Sequence, residues 1–198
     1  MLTNANLMTA LNLFCDDLIA NKAYLSDLDS PIGDGDHGVN MSRGALALKE
    51  ALIEKQPGTL SETFKLAGMT LLSKVGGASG PLYGSAFMGM SNISGTVLAN
   101  SELADALQLG MDMVAKRGKS TVGEKTMLDV WGPSIAHIRA NDLTTTTIKE
   151  AVDATKDLLA TKGRASFLGE RSIGHIDPGA ASSGFFFNNL LKAGVLDD

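Results

Sequence analysis

The sequence predicts an all-α protein of eight helices, and three features predict it. Apolar residues recur at alternating spacings of three and four, as on one face of a helix. Glycine, proline and short capping patterns divide the chain at intervals of helical length. No segment alternates apolar and polar residues as a half-buried strand does.

Leu7, Leu11, Phe14 and Leu18 form the first apolar face, giving helix one from about Ala5 to Ala23. Helix two runs from Val39 to about Lys55 and stops at Pro57-Gly58. Thr59-x-x-Glu62 is a capping-box pattern, and Leu60, Phe64, Ala67, Leu71 and Val75 carry helix three to Gly76-Gly77-Ala78-Ser79-Gly80. Pro81 suits the first turn of helix four, which extends to about Ala99 and is rich in Gly84, Ser85, Ala86, Gly89 and Gly95, small enough for close approach by a neighbour or ligand. Ser101 is the expected cap of helix five, whose Leu103, Leu107, Met111 and Val114 keep the period to Arg117-Gly118. A polar segment, 119–125, leads to helix six at about Thr126, bent or shortened by Pro133 and ending near Asn141. Thr147-x-x-Glu150 is a second capping-box pattern, and Ile148, Val152, Thr155 and Leu159 continue helix seven to Lys162-Gly163. After an irregular stretch, Arg164 to Ile176, Asp177 is placed as N-cap and Pro178 at the first position of an almost wholly apolar helix eight.

Between helices one and two lies Asp29-Ser30-Pro31-Ile32-Gly33-Asp34-Gly35-Asp36-His37-Gly38-Val39-Asn40, with three acids in eight positions. Carboxylates this close repel unless a cation lies between them, and oxygen-only donors point to Mg²⁺ or Ca²⁺. Gly33-x-Gly35-x-x-Gly38 spells the dinucleotide fingerprint, but a helix precedes it and two carboxylates lie inside it. An EF-hand loop from Asp34 would need Glu where Ala45 stands. A metal loop feeding a helix N-terminus near His37 remains, and such a terminus also favours phosphate. The plainer alternative makes these acids turn and cap residues.

The 198 residues suffice for a full core, and nothing in their composition requires a second domain, so residues 1–198 are taken as one. A net charge of −5 with scattered cations argues against a nucleic-acid surface. No apolar run is long enough to span a membrane, and the amino terminus does not resemble a signal peptide. Cys15 is the single cysteine, so a cytoplasmic location is the default.

In an up-and-down bundle with short connections, alternate loops share one end. The first, third, fifth and seventh loops, at 29–40, 76–80, 118–126 and 163–179, are the unusual ones, and together they gather the acids, several glycines, His37, Lys119, Lys125, Arg164, Arg171 and His175. That mixture suits a metal-bridged polyphosphate. Gly118-Lys119-Ser120 resembles the end of a Walker A loop, but Met113 stands where glycine is required. Simpler readings compete: His37 as a cap, Lys119, Lys125 and Arg171 as solvated charges, Met127 as core, and His175 beside Asp177 without mutual contact.

With these motifs in hand, the chain resembles the nucleotide-binding subunit of phosphotransferase-system-dependent dihydroxyacetone kinases over nearly its whole length. The resemblance rests on Asp-x4-Asp-x-Asp-His-Gly-x-Asn at 29–40, Gly-Gly-Ala-Ser-Gly-Pro-Leu-Tyr-Gly at 76–84, Arg-Gly-Lys at 117–119 and Gly-x-Lys-Thr-Met at 123–127. Gly-Arg-Ala-Ser at 163–166 and Ser-Ile-Gly-His-Ile-Asp-Pro-Gly-Ala at 172–180 complete it, with Phe167 where the family has tyrosine. It implies an eight-helix antiparallel barrel with a nucleotide site at one end, holding ADP or ATP with two Mg²⁺ ions. Asp29, Asp34 and Asp36 would bind the metals, and His37, Gly38, Val39, Asn40, Ala78, Ser79, Gly118, Met127, Arg164, Asp177, Pro178 and Gly179 the nucleotide.

The implied partners are a phosphohistidine-carrying phosphotransferase-system subunit, which would phosphorylate the ADP, and a dihydroxyacetone-binding kinase subunit, which would receive the γ-phosphoryl group. Covalent capture of dihydroxyacetone would fall to the latter, leaving no catalytic nucleophile on this chain. A homodimer is left open, and neither nucleic acid nor membrane is implied. Three rivals remain. One is the domain of an ATP-dependent kinase with exchangeable nucleotide, disfavoured because the chain opens directly on helix one; another is the nucleotide domain of a fatty-acid kinase. The third is a non-catalytic regulator that senses nucleotide and signals to a transcription factor.

Overall fold

Leu7, Leu11, Phe14 and Leu18 are all fully buried on the inner face of α1 (Asn4–Ala20), the helix on which a ring closes. The computed structural model describes residues 1–196, so the last two residues of the expected 1–198 domain lie outside the described residues. After α1 come α2 (Lys22–Asp29), α3 (His37–Lys55), α4 (Leu60–Lys74), α5 (Ser79–Met90), α6 (Asn100–Gly118), α7 (Leu128–Ala140), α8 (Thr145–Ala154) and α9 (Pro178–Lys192). Two 3₁₀ segments, Thr155–Asp157 and Arg164–Ser172, lie between α8 and α9. Apart from α2, each helix packs on the next in this order, and α9 packs back on α1, so eight helices form a closed all-α barrel. The ninth, α2, leans on α3 and α9 outside the count expected from the sequence.

The expected helix one, Ala5 to Ala23, is broken at Asn21, and α2 carries the chain on to Asp29. Asn21 ends α1 with its backbone and side-chain N–H groups both on Asp17 O, and the chain turns into α2, whose last residue is Asp29. Thr3 caps α1 reciprocally with Asn6, and Thr59 with Glu62 does the same for α4. Helix α5 stops at Met90 rather than near Ala99, because the Ser91 and Asn92 side chains bond the carbonyls of its final turn. The released chain forms strand β2 (Val97–Leu98), antiparallel to β1 (Leu2–Thr3), the only strands among the described residues.

Ser101 does not cap α6; Ala99 is the N-cap, and its N–H is taken by Glu102. Thr147 is likewise not a cap, since Thr144 precedes α8 and exchanges hydrogen bonds with Thr147. Helix α8 ends at Ala154, and the expected irregular stretch contains the second 3₁₀ segment. Asp177 and Pro178 hold the cap and first position of α9 as expected. Pro133 sits within α7 without ending it.

The barrel interior is filled by Phe14, Phe64, Tyr83, Phe87, Trp131, Phe186 and Phe187, whose neighbouring rings lie 5.4 to 6.3 Å apart. The small residues of α5 serve helix packing: a Cβ on Gly84 would sit 2.8 Å from the Leu72 side chain of α4. No helix among the described residues is long and apolar enough to cross a membrane.

Candidate functional site

Alternation of the ring brings the starts of α3, α5, α7 and α9 to one end, around a cavity of about 450 Å³. Its walls come from all four unusual loops: Asp29 to His37, Gly77 to Tyr83, Arg117 to Met127, and Lys162 to Gly179. The N-cap side chains of α3, α5 and α7 make no cap bond, while the first N–H of α3 is taken by Asp29 and that of α7 by Thr126. Four positive helix ends directed at one cavity are an electrostatic setting for phosphate.

One wall is acidic. Oxygens of Asp29, Asp34 and Asp36 lie within 4.8 Å of one another. Asp29 is fixed by its place at the end of α2 and by the His37 N–H, 3.2 Å from Oδ2. Burial raises its pKa, and the neighbouring Asp34 and Asp36 charges add to the rise. Asp34, the exposed member, forms an ion pair with Arg164, which reaches across from the 3₁₀ segment. Three oxygen donors this close, with one cation on Asp34 to offset three acids, fit a hard divalent cation.

Behind the acids, the His37 ring is buried between hydroxyls, Nδ1 3.0 Å from Ser79 Oγ and Nε2 3.0 Å from Ser182 Oγ. Burial lowers its pKa to about 4, so the ring is neutral at pH 7. His37 is thus neither a surface group nor a cap side chain. Leu82, Val114 and Met127 give the cavity an apolar wall suited to a flat base.

Of the residues expected to touch nucleotide, His37, Ala78, Ser79, Gly118, Met127, Arg164, Asp177, Pro178 and Gly179 line this cavity together with all three acids. Gly38, Val39 and Asn40 do not line it. A Cβ on Gly38 would lie 1.9 Å from Lys22 O, so the glycine lets α3 meet α2. Val39 is exposed, and Asn40 accepts a hydrogen bond from Arg43.

The reading of Lys125 as a solvated charge is overturned. It is 1% exposed, in left-handed backbone, and its Nζ donates to the carbonyls of Thr155 and His175, the two ends of the segment that carries Arg164. Lys119 and Arg171 are exposed. The pairing of His175 with Asp177 is absent: the Asp177 carboxylate accepts from Ala180 N–H at 2.7 Å and shares no hydrogen bond with the His175 ring. Although Asp177 as a residue is only part-buried, its carboxyl is enclosed, and burial pushes its pKa up to about 7.

Sequence reasoning passed over Leu82, Tyr83, Ser120 and Ser182. Tyr83 stands four residues after Ser79 and Ser182 three after Gly179, helical spacings that put each beneath a cavity residue.

The chain is similar to known proteins over most of its length. The DAK2 domain family matches residues 31–192. The ADP-binding subunit DhaL of PEP-dependent dihydroxyacetone kinase 1 from Listeria innocua is 53% identical over 186 residues, 93% of this chain and 94% of that one. The ADP-binding subunit DhaL of the PTS-dependent dihydroxyacetone kinase from Lactococcus lactis is 51% identical over 192 residues, 97% and 98% of the two chains. The dihydroxyacetone kinase of C. freundii, solved in complex with AMP-PNP and Mg²⁺, shares the fold with a TM-score of 0.75 at 23% identity, over 96% of this chain and 34% of that one. A family match over most of the chain and end-to-end identity above half lead to one conclusion: the chain belongs to the DAK2 domain family, with the DhaL subunits of dihydroxyacetone kinases.

Proposed function

We propose that this chain is the ADP-binding subunit of a phosphoenolpyruvate-dependent dihydroxyacetone kinase, and that its described residues act as one nucleotide-binding domain. It takes a phosphoryl group from a phosphohistidine protein onto bound ADP and passes it to dihydroxyacetone held on a separate subunit. The observation that carries this reading is the facing of the Asp29, Asp34 and Asp36 cluster by four helix N-termini across one cavity. The relatives named as ADP-binding subunits span the same length.

Asp29, Asp34 and Asp36 hold the Mg²⁺ ions, two in this reading, and the backbone at Gly77, Ala78 and Ser79, leading into the first turn of α5, takes the phosphates. When bound, Mg²⁺ neutralises phosphate oxygens and the nucleotide serves as phosphoryl carrier. In this reading Arg164, now on Asp34, covers the phosphates, and the cavity-lining Leu82, Val114 and Met127 enclose the base. Ser79 supplies a hydroxyl at the start of α5, backed by His37. Cys15 is buried in the core, and burial raises its thiol pKa to about 12, so it is no nucleophile. Both partners dock at the open end, where the phosphate must be presented.

The test is to purify the protein without added nucleotide, pass it through gel filtration, denature it and quantify what is released. Near-equimolar ADP with two Mg²⁺ per chain is the expected result. Empty protein that exchanges ATP freely would replace this reading with an ATP-dependent kinase domain.

A further inference from the structure

The cavity floor continues into the core as one chain of hydrogen bonds: Ser79, His37, Ser182, Tyr83, Ser183, Trp131. Every link from His37 inward is buried. We infer that Tyr83 and Ser182 are positioning residues that set the tautomer of His37, and through it decide whether Ser79 offers the cavity a hydrogen-bond donor or an acceptor.

The protons of the chain follow one from another, starting at the deep end. Trp131 Nε1–H can only donate, and it donates to Ser183 Oγ at 3.1 Å. Among the described residues Tyr83 Oη, at 3.0 Å, is the one acceptor within hydrogen-bond distance of the Ser183 hydroxyl, so the Ser183 proton is assigned to it. Tyr83 directs its own proton to Ser182 Oγ at 2.8 Å in preference to Gly179 O at 3.4 Å. Ser182 is the branch point, with His37 Nε2 at 3.0 Å and Gly179 O at 3.1 Å as acceptors for one proton.

The two branches have opposite consequences at the cavity. If Ser182 donates to Nε2, the neutral ring carries its proton on Nδ1 and donates to Ser79 Oγ, and the Ser79 proton is free to point outward. If Ser182 donates to Gly179 O, the ring carries its proton on Nε2, Ser79 donates back to Nδ1, and only its lone pairs face the cavity. The two acceptors lie at near-equal distances from Ser182 Oγ, so the contacts of Ser182 alone do not choose between the arrangements. An anionic oxygen at Ser79 needs the first, since it can only accept. The identity of that anion as a nucleotide phosphate rests on the function proposed above; the proton count does not.

Tyr83→Phe removes one hydroxyl while keeping the ring. Ser182 Oγ then loses its donor and accepts from His37 Nε2–H, which favours the second arrangement. The experiment is ¹⁵N NMR of the full chain labelled at histidine, with His37 assigned by His37→Gln among the three histidines. The native ring is expected to shift towards Nδ1–H on addition of ADP and Mg²⁺. Tyr83→Phe without nucleotide is expected to shift towards Nε2–H and to bind ADP about tenfold more weakly, the worth of one hydrogen bond. Circular dichroism checks that the variant is folded.

A nucleotide-bound native ring that stays Nε2–H overturns the inference. So does a folded Tyr83→Phe protein whose ring signal is unchanged. Native protein that binds no ADP overturns the proposed function instead, and the nucleotide-free comparison of native and Tyr83→Phe rings still decides the proton relay.

Discussion

Asp34 is the exposed member of the acidic cluster and the one that Arg164 grips, so it reports on both walls of the cavity. Replacing it with alanine removes a charged ligand worth about 1.5–3 kcal/mol, and ADP affinity in Mg²⁺ should fall by about 10- to 100-fold by titration calorimetry. Full affinity in Asp34→Ala would exclude the metal assignment. Asp177 makes a different prediction. Its pKa rises on folding from 3.8 to about 7, so the folded state binds the extra proton in that window, and the stability it contributes falls as pH rises through it. Asp177→Asn keeps an N-cap of equal quality and should flatten that slope in urea unfolding in EDTA; an unchanged slope would show that the folded carboxyl is not shifted. The acids were legible in the sequence because carboxylate spacing is itself chemical information. Lys125 was not: its two carbonyl partners, at Thr155 and His175, are 30 and 50 residues away and carry no side-chain signature.

At the scale of the element, α2 matters because it ends in Asp29 while its start lies under Gly38. Gly38→Ala pushes a methyl group into Lys22 O, at an overpacking cost of about 1–3 kcal/mol, and should weaken Mg²⁺-dependent ADP binding by moving the helix that holds a metal ligand. Equal stability and affinity in the variant would mean that the helices separate freely. The caps of α8 give a second test. Thr144→Ala should cost about 1 kcal/mol in chemical unfolding and Glu150→Ala less than about 0.5 kcal/mol, the reverse of what a cap at Thr147 demands. The sequence offers a threonine at both positions, only Thr147 with a glutamate three residues on, and the backbone, extended at Thr144, makes the choice. The break at Asn21 was hidden for a related reason, since neither glycine nor proline marks it and Asn21 puts both its backbone and its side-chain N–H on Asp17 O. Pro178 with Asp177 was readable because a fixed φ and a cap coincide.

Across the whole molecule, the convergence of alternate loops followed from helix count and short connections, and α2 leaves it intact because it is added outside the ring. Closure of α9 on α1 is invisible to local patterns, for both helices are apolar on the faces that meet. Since the cavity is built from four separate loops, a ligand that fills it ties the ring together. ADP with Mg²⁺ at about 100 times its Kd should add about 2.7 kcal/mol of stability and raise Tm by about 5–10 °C, with the rise abolished by EDTA. A rise that survives EDTA would detach nucleotide binding from the acidic cluster.

The chain carries one tryptophan, and it lies where the barrel is driest: Trp131 is fully buried, stacked on Phe186 at 5.6 Å and edge-on to Phe187 at 5.4 Å, both on α9. Native fluorescence therefore comes from a single indole whose surroundings are α9 packed in place. Its emission is expected to move to the red when α9 leaves the ring, whereas circular dichroism follows the helices wherever they are. Coincident curves from the two signals mean that the barrel opens and melts in one step; an earlier fluorescence change means that α9 departs first and takes the start of Asp177-Pro178-Gly179 out of the cavity with it.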